Sequence, residues 1–243
     1  MITDVTAYRE NLALVHDLAF GFHSERTAPG ILALLEPVRA RGGVVHEIGC
    51  GTGLLTRYLL DAGHTVIASD ASQAMLDRAR AVLGADVDLR RIALPDDPLP
   101  TSDAVVSVGH ALSYLPDERS VHRALTAIAR ALRPGGVLAI DLLDLAWGDA
   151  RRNAEPQATV TADYAIFSRY SLPAPDTYVR DMTTFVPAGG GRWHRDDEHH
   201  ENVLVDTSAV PSVLASAGRT AEVGTAFGAE RLPPGLVTVI SRG

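Results

Sequence analysis

Apolar positions along this chain follow two rhythms. Over residues 4–40 they recur three and four apart, at Leu12, Val15, His16, Leu18 and Ala19 and again at Ile31, Leu32, Leu34 and Leu35, which predicts helices. From residue 44 short apolar runs alternate with helical patterns. The runs at 44–48, 65–69, 87–92, 103–108 and 137–142 have the length and composition of strands buried on both faces. Leu55, Tyr58 and Leu59 share one helix face after Gly53. Ser72 caps a helix through Met75, Leu76, Ala79 and Leu83, which Gly84 stops. Pro116 and Asp117 open a third helix, with Val121, Leu125, Ile128, Ala129 and Leu132 inward, and Pro134, Gly135 and Gly136 end it. Strands alternating with helices imply a parallel, doubly wound α/β sheet.

After residue 150 the period changes to two. Val160, Ala162, Tyr164, Ile166 and Tyr170 alternate with polar residues, and 177–186 and 192–206 are also strand-like. Prolines at 173 and 175 and the glycines at 189–191 supply turns, so three antiparallel strands without helices are expected. A helix over 207–217 and strands over 219–226 and 236–241 close the chain. The expected organisation is therefore an α/β core with an N-terminal helical lid over 1–150 and an antiparallel β insertion over 151–206 that covers the substrate site. Residues 207–243 would complete a seven-stranded core sheet.

Composition narrows the function. A length of 243 residues suits one α/β domain, and a net charge of −8 argues against nucleic acid, whose phosphates need a basic surface. The N-terminus lacks a charged start followed by an apolar core, and no apolar run approaches ~20 residues, so a cytoplasmic protein without a membrane partner is expected. Cys50 is the only cysteine, which excludes an internal disulfide; a small buried side chain is the simplest reading of it. The exposed edges of the inserted sheet make a homodimer plausible.

The chemistry concentrates at residues 44–56. A strand carries Glu47 and is followed by Gly49, Gly51 and Gly53, then a helix. Glycines at such a bend admit positive φ and let a ligand lie on bare backbone, while the first N–H groups of the helix point at it. A dinucleotide loop needs G-x-G-x-x-G, but here the third glycine comes one residue early and Leu54 takes its expected place. Glu47 before the loop suits a ligand with positive charge rather than a pyrophosphate. Asp70 ends the second strand, about 20 positions on, where a carboxylate can accept ribose hydroxyls.

The E-x-G-x-G-x-G pattern resembles motif I of the class I S-adenosylmethionine (SAM) dependent methyltransferases. The resemblance covers nearly the whole chain and extends to residues 103–108, to 131–138 and, more loosely, to 193–199, which point to sugar and other small-metabolite members. It implies a Rossmann-like sheet with an antiparallel insertion after strand 5, SAM as cofactor and a small-molecule acceptor. The acceptor atom would be N or O, in a sugar or secondary metabolite. It also implies that Glu47, Gly49, Gly51 and Gly53 hold the methionine part, with Met75 nearby, and that Asp70 holds the ribose. Ala71, Ala93 and Leu94 would flank adenine, and Gly109 would follow strand 4 beside the methyl group. Where many relatives have an acidic residue near position 93, this chain has Ala93, with Asp96 and Asp97 downstream.

Methyl transfer from a sulfonium needs alignment and, for a hydroxyl acceptor, a base. His110 is a candidate base because it follows a parallel strand at its carboxyl end. His199 and His200 are the others. His194, His199 and His200 do not make a metal site, because side chains alternate along a strand and His194 and His200 lie roughly 20 Å apart. Phe20, Phe22, Tyr114, Tyr164, Tyr170 and Tyr178 are candidate acceptor contacts, with His23 in the same N-terminal lid. Two other readings stay open: a related protein that uses SAM or its product as a structural cofactor for a rearrangement or cyclisation, and a non-catalytic binding module.

Overall fold

The computed structural model describes residues 8–19 and 21–243, with Phe22 described by its backbone alone. Phe20, the Phe22 side chain and the first residues of the expected N-terminal helix therefore lie outside the described residues. Two helices come first, α1 (Glu10–Ala19) and α2 (Gly21–Ala40). The α/β units follow as β1 (Val44–Ile48), α3 (Leu54–Asp61), β2 (Thr65–Asp70), α4 (Gln73–Leu83), β3 (Asp88–Arg91), β4 (Ser102–Ser107), α5 (Glu118–Ala131) and β5 (Leu132–Leu143). A short helix α6 (Leu145–Arg151) leads to β6 (Gln157–Val160), β7 (Ala165–Ala174), β8 (Thr177–Pro187) and β9 (Trp193–Val203). Then α7 (Val210–Ser216), β10 (Glu222–Gly224) and β11 (Leu236–Arg242) close the core.

The core sheet has seven strands in the order β3-β2-β1-β4-β5-β11-β10. The first five are parallel, and β11 enters antiparallel between β5 and β10. The order reverses at β1 and β4, so their carboxyl ends open a crevice of the kind in which such sheets bind ligands. Each strand's alternate faces meet helices. Ile31, Leu35, Leu55 and Leu59 pack with Val45, Ala104 and Ala139 on one side; Val121, Leu125, Ile128 and Leu214 pack with Val105, Leu138 and Ile140 on the other. This is the architecture expected from the sequence, and among the described residues no helix is long and apolar enough to cross a membrane.

The second sheet, β6-β7-β8-β9, is antiparallel throughout and follows β5. Helix α1 lies beneath it. Leu12 and Val15 of α1 bury against Tyr164, Ile166, Met182 and Val186 of the sheet, each worth about 2 kcal/mol by burial. Asp17 of α1 also pairs with Arg78 of α4 at 2.7 Å, so α1 bridges the two layers.

Three details depart from the sequence reading. Pro134, Gly135 and Gly136 do not end the helix; it stops at Ala131, and the three form a bulge within β5, between the pairs Ser102–Leu132 and Ala104–Val137. A short helix, α6, stands unexpected ahead of the insertion, which has four strands instead of three. Gly148 masks α6 in the sequence, since glycine weakens a helical pattern; here a Cβ would stand 2.7 Å from the side chains of Leu172 and Leu204. The alternation through Val160 and Tyr164 is broken by a turn in which Thr161 Oγ1 accepts from the Asp163 and Tyr164 N–H groups.

Candidate active site

Three left-handed glycines at alternate positions build the bend after β1. Gly49, Gly51 and Gly53 have φ of 68°, 56° and 87°. At Gly49 a Cβ would meet the Ala111 Cβ at 2.3 Å, and at Gly53 it would meet Leu83 at 2.6 Å. Gly51 has another reason to be glycine. Nothing lies nearer than 3.8 Å to its Cβ position, where His16 and then Met75 stand. Gly51 is buried, its Cβ position is in ordinary contact with that imidazole and thioether, and its left-handed φ is what requires glycine.

Two acids flank this bend. Asp70 Oδ2 accepts the Gly51 N–H at 2.9 Å and Oδ1 accepts the Ser72 N–H at 2.8 Å, which fixes the carboxylate and leaves lone pairs free. Burial raises its carboxyl pKa, and these backbone donors work against the shift. Glu47 is buried, accepts the Thr56 hydroxyl at 2.6 Å and has its pKa pushed by burial up to about 8. Buried Cys50 has a thiol pushed well up by the same cause, which leaves it a packed, unreactive group.

On the adenine side, Asp97 turns back so that its carboxylate accepts the Ala93 N–H at 2.7 Å, and Asp96 pairs with Arg123 at the surface. Leu94 packs against the core at this point, and the Ala71 carbonyl accepts from Arg91. Met75 is buried behind the glycine loop.

Across the crevice, Asp141 of β5 organises the turn after β4. Its fully buried carboxylate accepts the Gly109 N–H at 2.9 Å and the His110 N–H at 2.6 Å, and it lies 3.1 Å from His23 Nε2. His110 is held at φ 53° by this pair. It stacks on Tyr114 with ring centres 6.0 Å apart. Burial, with Arg180 second, drops the His110 pKa to about 3, and its Nδ1 is buried without a hydrogen-bond partner among the described residues. The ring is therefore neutral at ordinary pH.

The inserted sheet brings a second group to the same place. Glu198 and His200 share the inner face of β9, and His200 Nε2 stands 2.8 Å from Glu198 Oε2. Glu198 also accepts the backbone N–H groups of Tyr8 and Arg9, at 2.7 and 2.9 Å, so it is an acceptor throughout. The proton on His200 must then sit on Nε2, leaving Nδ1 to accept from the Tyr114 hydroxyl 3.0 Å away. Burial lowers the His200 pKa, with Glu198 opposing. Arg180 of β8 donates to the Tyr114 hydroxyl, and the Tyr8 hydroxyl lies 3.2 Å from it. His16 of α1 meets the Tyr8 ring edge-on at 5.6 Å, and burial drops its pKa to about 4.

The site residues expected from sequence fall into three groups. Glu47, the three glycines, Asp70 and Met75 gather at the glycine bend; Gly109, His110, Tyr114 and His200 gather across the crevice. Tyr178 and Tyr170 stack at 6.0 Å beside Trp147 and form an adjoining aromatic wall. Tyr164 instead packs with α1 in the second sheet's core, and His199 faces away on the outer side of β9, between Asp181 at 2.7 Å and Glu201 at 3.2 Å. These partners raise the His199 pKa. Among the described residues, no three His, Cys, Asp or Glu side chains converge as a metal site. His16, which the sequence marked only as a position in the first helical pattern, lies at the bend, and Glu198, Arg180 and Tyr8 join the cluster unannounced. Period-two spacing puts Glu198 on the face of His200, the one sequence signal for it; nothing local marked Arg180.

Comparison with known proteins bears on the family and the fold. Residues 45–136 match a family described as a methyltransferase domain. The chain is 31% identical over 179 residues to the cypemycin N-terminal methyltransferase of a Streptomyces species, covering 68% of this chain and 72% of that one. A SAM-dependent methyltransferase structure from Clostridium acetobutylicum superposes with a TM-score of 0.80 at 16% identity, over 95% of this chain and 96% of that one. The sugar N-methyltransferase structure from a Streptoalloteichus species gives a TM-score of 0.77 at 20% identity, over 100% and 99% of the two chains. At such identities the two structures speak to the fold alone.

Proposed function

The chain belongs to the SAM-dependent methyltransferases, and from that premise we propose that it moves a methyl group from SAM to an N or O atom of a small secondary metabolite or sugar by in-line displacement. The observation that carries the reading is the glycine bend between buried Glu47 and half-buried Asp70. A left-handed backbone beside Asp70 and a Glu47 that can give up its proton to a bound cation fits a cationic amino-acid nucleoside better than a pyrophosphate. Glu47, Gly49, Gly51 and Gly53 would hold the methionine part, Asp70 the ribose, and Ala71, Ala93 and Leu94 the adenine edge. With the Ala93 N–H taken by Asp97, adenine recognition would fall to backbone carbonyls and to packing.

When bound, SAM supplies a carbon already activated by a sulfonium, so the chain needs no nucleophile of its own. Its residues have to align the acceptor, keep water out and take one proton. The second sheet and α1 form the cover in this reading, and the wall of Trp147, Tyr170 and Tyr178 gives the acceptor an apolar face. Proton removal falls to the series Tyr114, His200, Glu198. The acceptor's proton passes to the Tyr114 oxygen as the Tyr114 proton moves to His200 Nδ1, and Glu198 holds the imidazolium so formed. Neutral His110 serves as a hydrogen-bond acceptor toward substrate.

Incubation of the protein with SAM and a panel of amino and hydroxy metabolites tests this. The expected result is S-adenosylhomocysteine (SAH) released in step with a singly methylated product. Product formed without SAH would favour a rearrangement or cyclisation. The relay makes its own demand: Tyr114→Phe and His200→Gln should each lower turnover about 10²-fold or more on a hydroxyl acceptor while SAH affinity stays within about threefold. Equal losses in affinity and rate would remove the relay.

A further inference from the structure

Arg180 has a charge that nothing described around it answers. It is half-buried on the inner face of β8. Its described partners are phenols: it donates to the Tyr114 hydroxyl and lies beside Tyr8 and Tyr178. Burial holds Tyr114 well above the usual phenol range, so that oxygen is neutral and brings no negative charge. Among the described residues Arg180 forms no ion pair, and its Nε–H is buried without a hydrogen-bond partner. Other arginines nearby behave differently: Arg78 pairs with Asp17, and Arg9 pairs with Asp196.

A cation drawn partly out of water without a counter-ion loses hydration that no partner returns. It also suppresses every protonatable neighbour, and its charge is felt by His16, His110 and His200 alike. A fold retains such a group at a ligand cleft when the ligand brings the missing charge. The neighbourhood fits an organic acid: His110 and Tyr114 stack, and Trp147, with its ring centre 6.3 Å from that of His110, continues into the aromatic set of Tyr178 and Tyr170.

We propose that Arg180 anchors a carboxylate of the methyl acceptor, so that the acceptors of this protein are organic acids with the reacting N or O atom near Tyr114. This rests on the methyltransferase reading and narrows its substrate class. SAM itself carries a carboxylate, and the experiment separates the two sources. Arg180 adjoins the residues that follow β4 and the relay of the second sheet; the methionine end is assigned to Glu47 and the glycines, which favours the acceptor as the source.

The test uses the full chain and begins with SAH titrated alone into wild type, Arg180→Met and Arg180→Lys. The SAH-saturated proteins are then titrated with benzoate, 4-hydroxybenzoate and phenylacetate, each against its primary amide. Wild type should bind at least one acid about tenfold or more tightly than its amide, as a charge-assisted hydrogen bond requires. R180M should abolish that preference and R180K keep part of it, with SAH affinity within about threefold in all three. Acids and amides binding alike, or no acid binding at all, would overturn the proposal. A tenfold loss of SAH affinity in both variants would overturn it too, by giving the guanidinium to the SAM carboxylate. Failure of SAH to bind wild type is seen in the first titration and counts against the SAM site itself.

Discussion

Single residues in this protein owe their chemistry to burial more than to identity. Glu47 is the sharpest case, because its carboxyl titrates near 8 in the folded chain and near 4.5 when exposed. The folded state therefore holds a proton that the unfolded state has lost between these values, and Glu47 makes stability fall as pH rises from about 4.5 to 8. A bound cation would pull that pKa down. Binding of SAM near pH 7 should consequently release a proton, seen as a dependence of the calorimetric heat on the buffer's ionisation enthalpy, and Glu47→Gln should remove it. His16 and His110 act in the opposite sense. Their folded pKa values, about 4 and about 3, lie below the exposed value of 6.5, so they contribute stability above pH 6.5 that is lost on acidification toward those values. Thermal unfolding of His110→Asn should show a shallower loss between pH 6.5 and 4 than wild type; an unchanged slope would mean that His110 is protonated in the native state. Glu47 and Asp70 were legible in the sequence because their position beside three glycines is itself a chemical statement. Arg180 and Glu198 were not, because a lone charge within a strand takes its meaning from what the fold sets opposite it.

At the level of elements, the bend after β1 is the most constrained segment. Gly49 combines a left-handed φ with a Cβ position 2.3 Å from Ala111. Gly49→Ala should cost about 1–3 kcal/mol from the backbone and crowding together, read as a drop in the unfolding midpoint. Gly63, equally left-handed but with nothing within 4 Å, is the control, and its alanine variant should lose only the backbone part. The α/β elements were readable because buried parallel strands are plain apolar runs and their helices carry caps, such as Ser72 on Met75 and Asp117 on Ser120. The insertion was read less well for a physical reason. Residues 157–174 keep one polar–apolar period through a hairpin turn, so the pattern cannot say where one strand ends and the next begins. Likewise α6 is seated by Gly148 against Leu172 and Leu204, a long-range fit with no local signature.

At the scale of the molecule, the described residues of the candidate site come from both sheets. The core sheet contributes the glycine bend, Asp70 and the Asp141-fixed turn at His110; the second sheet contributes Arg180, Glu198 and His200; α1, docked under that sheet, contributes His16. The half of this arrangement that lies along one βαβ path could be read from the chain, since strand, bend and acid stand at fixed spacing. The other half forms only when residues near 8, 114, 180 and 200 meet, and sequence distance conceals that. The central claim is that the bend between β1 and α3 holds a sulfonium nucleoside. Calorimetric titration of SAH into wild type and Asp70→Ala, with NADH titrated in parallel, tests it most directly. The account expects one SAH bound per chain, at least about tenfold weaker in the variant, and no heat from NADH. Absence of SAH binding, or NADH binding in its place, would contradict it.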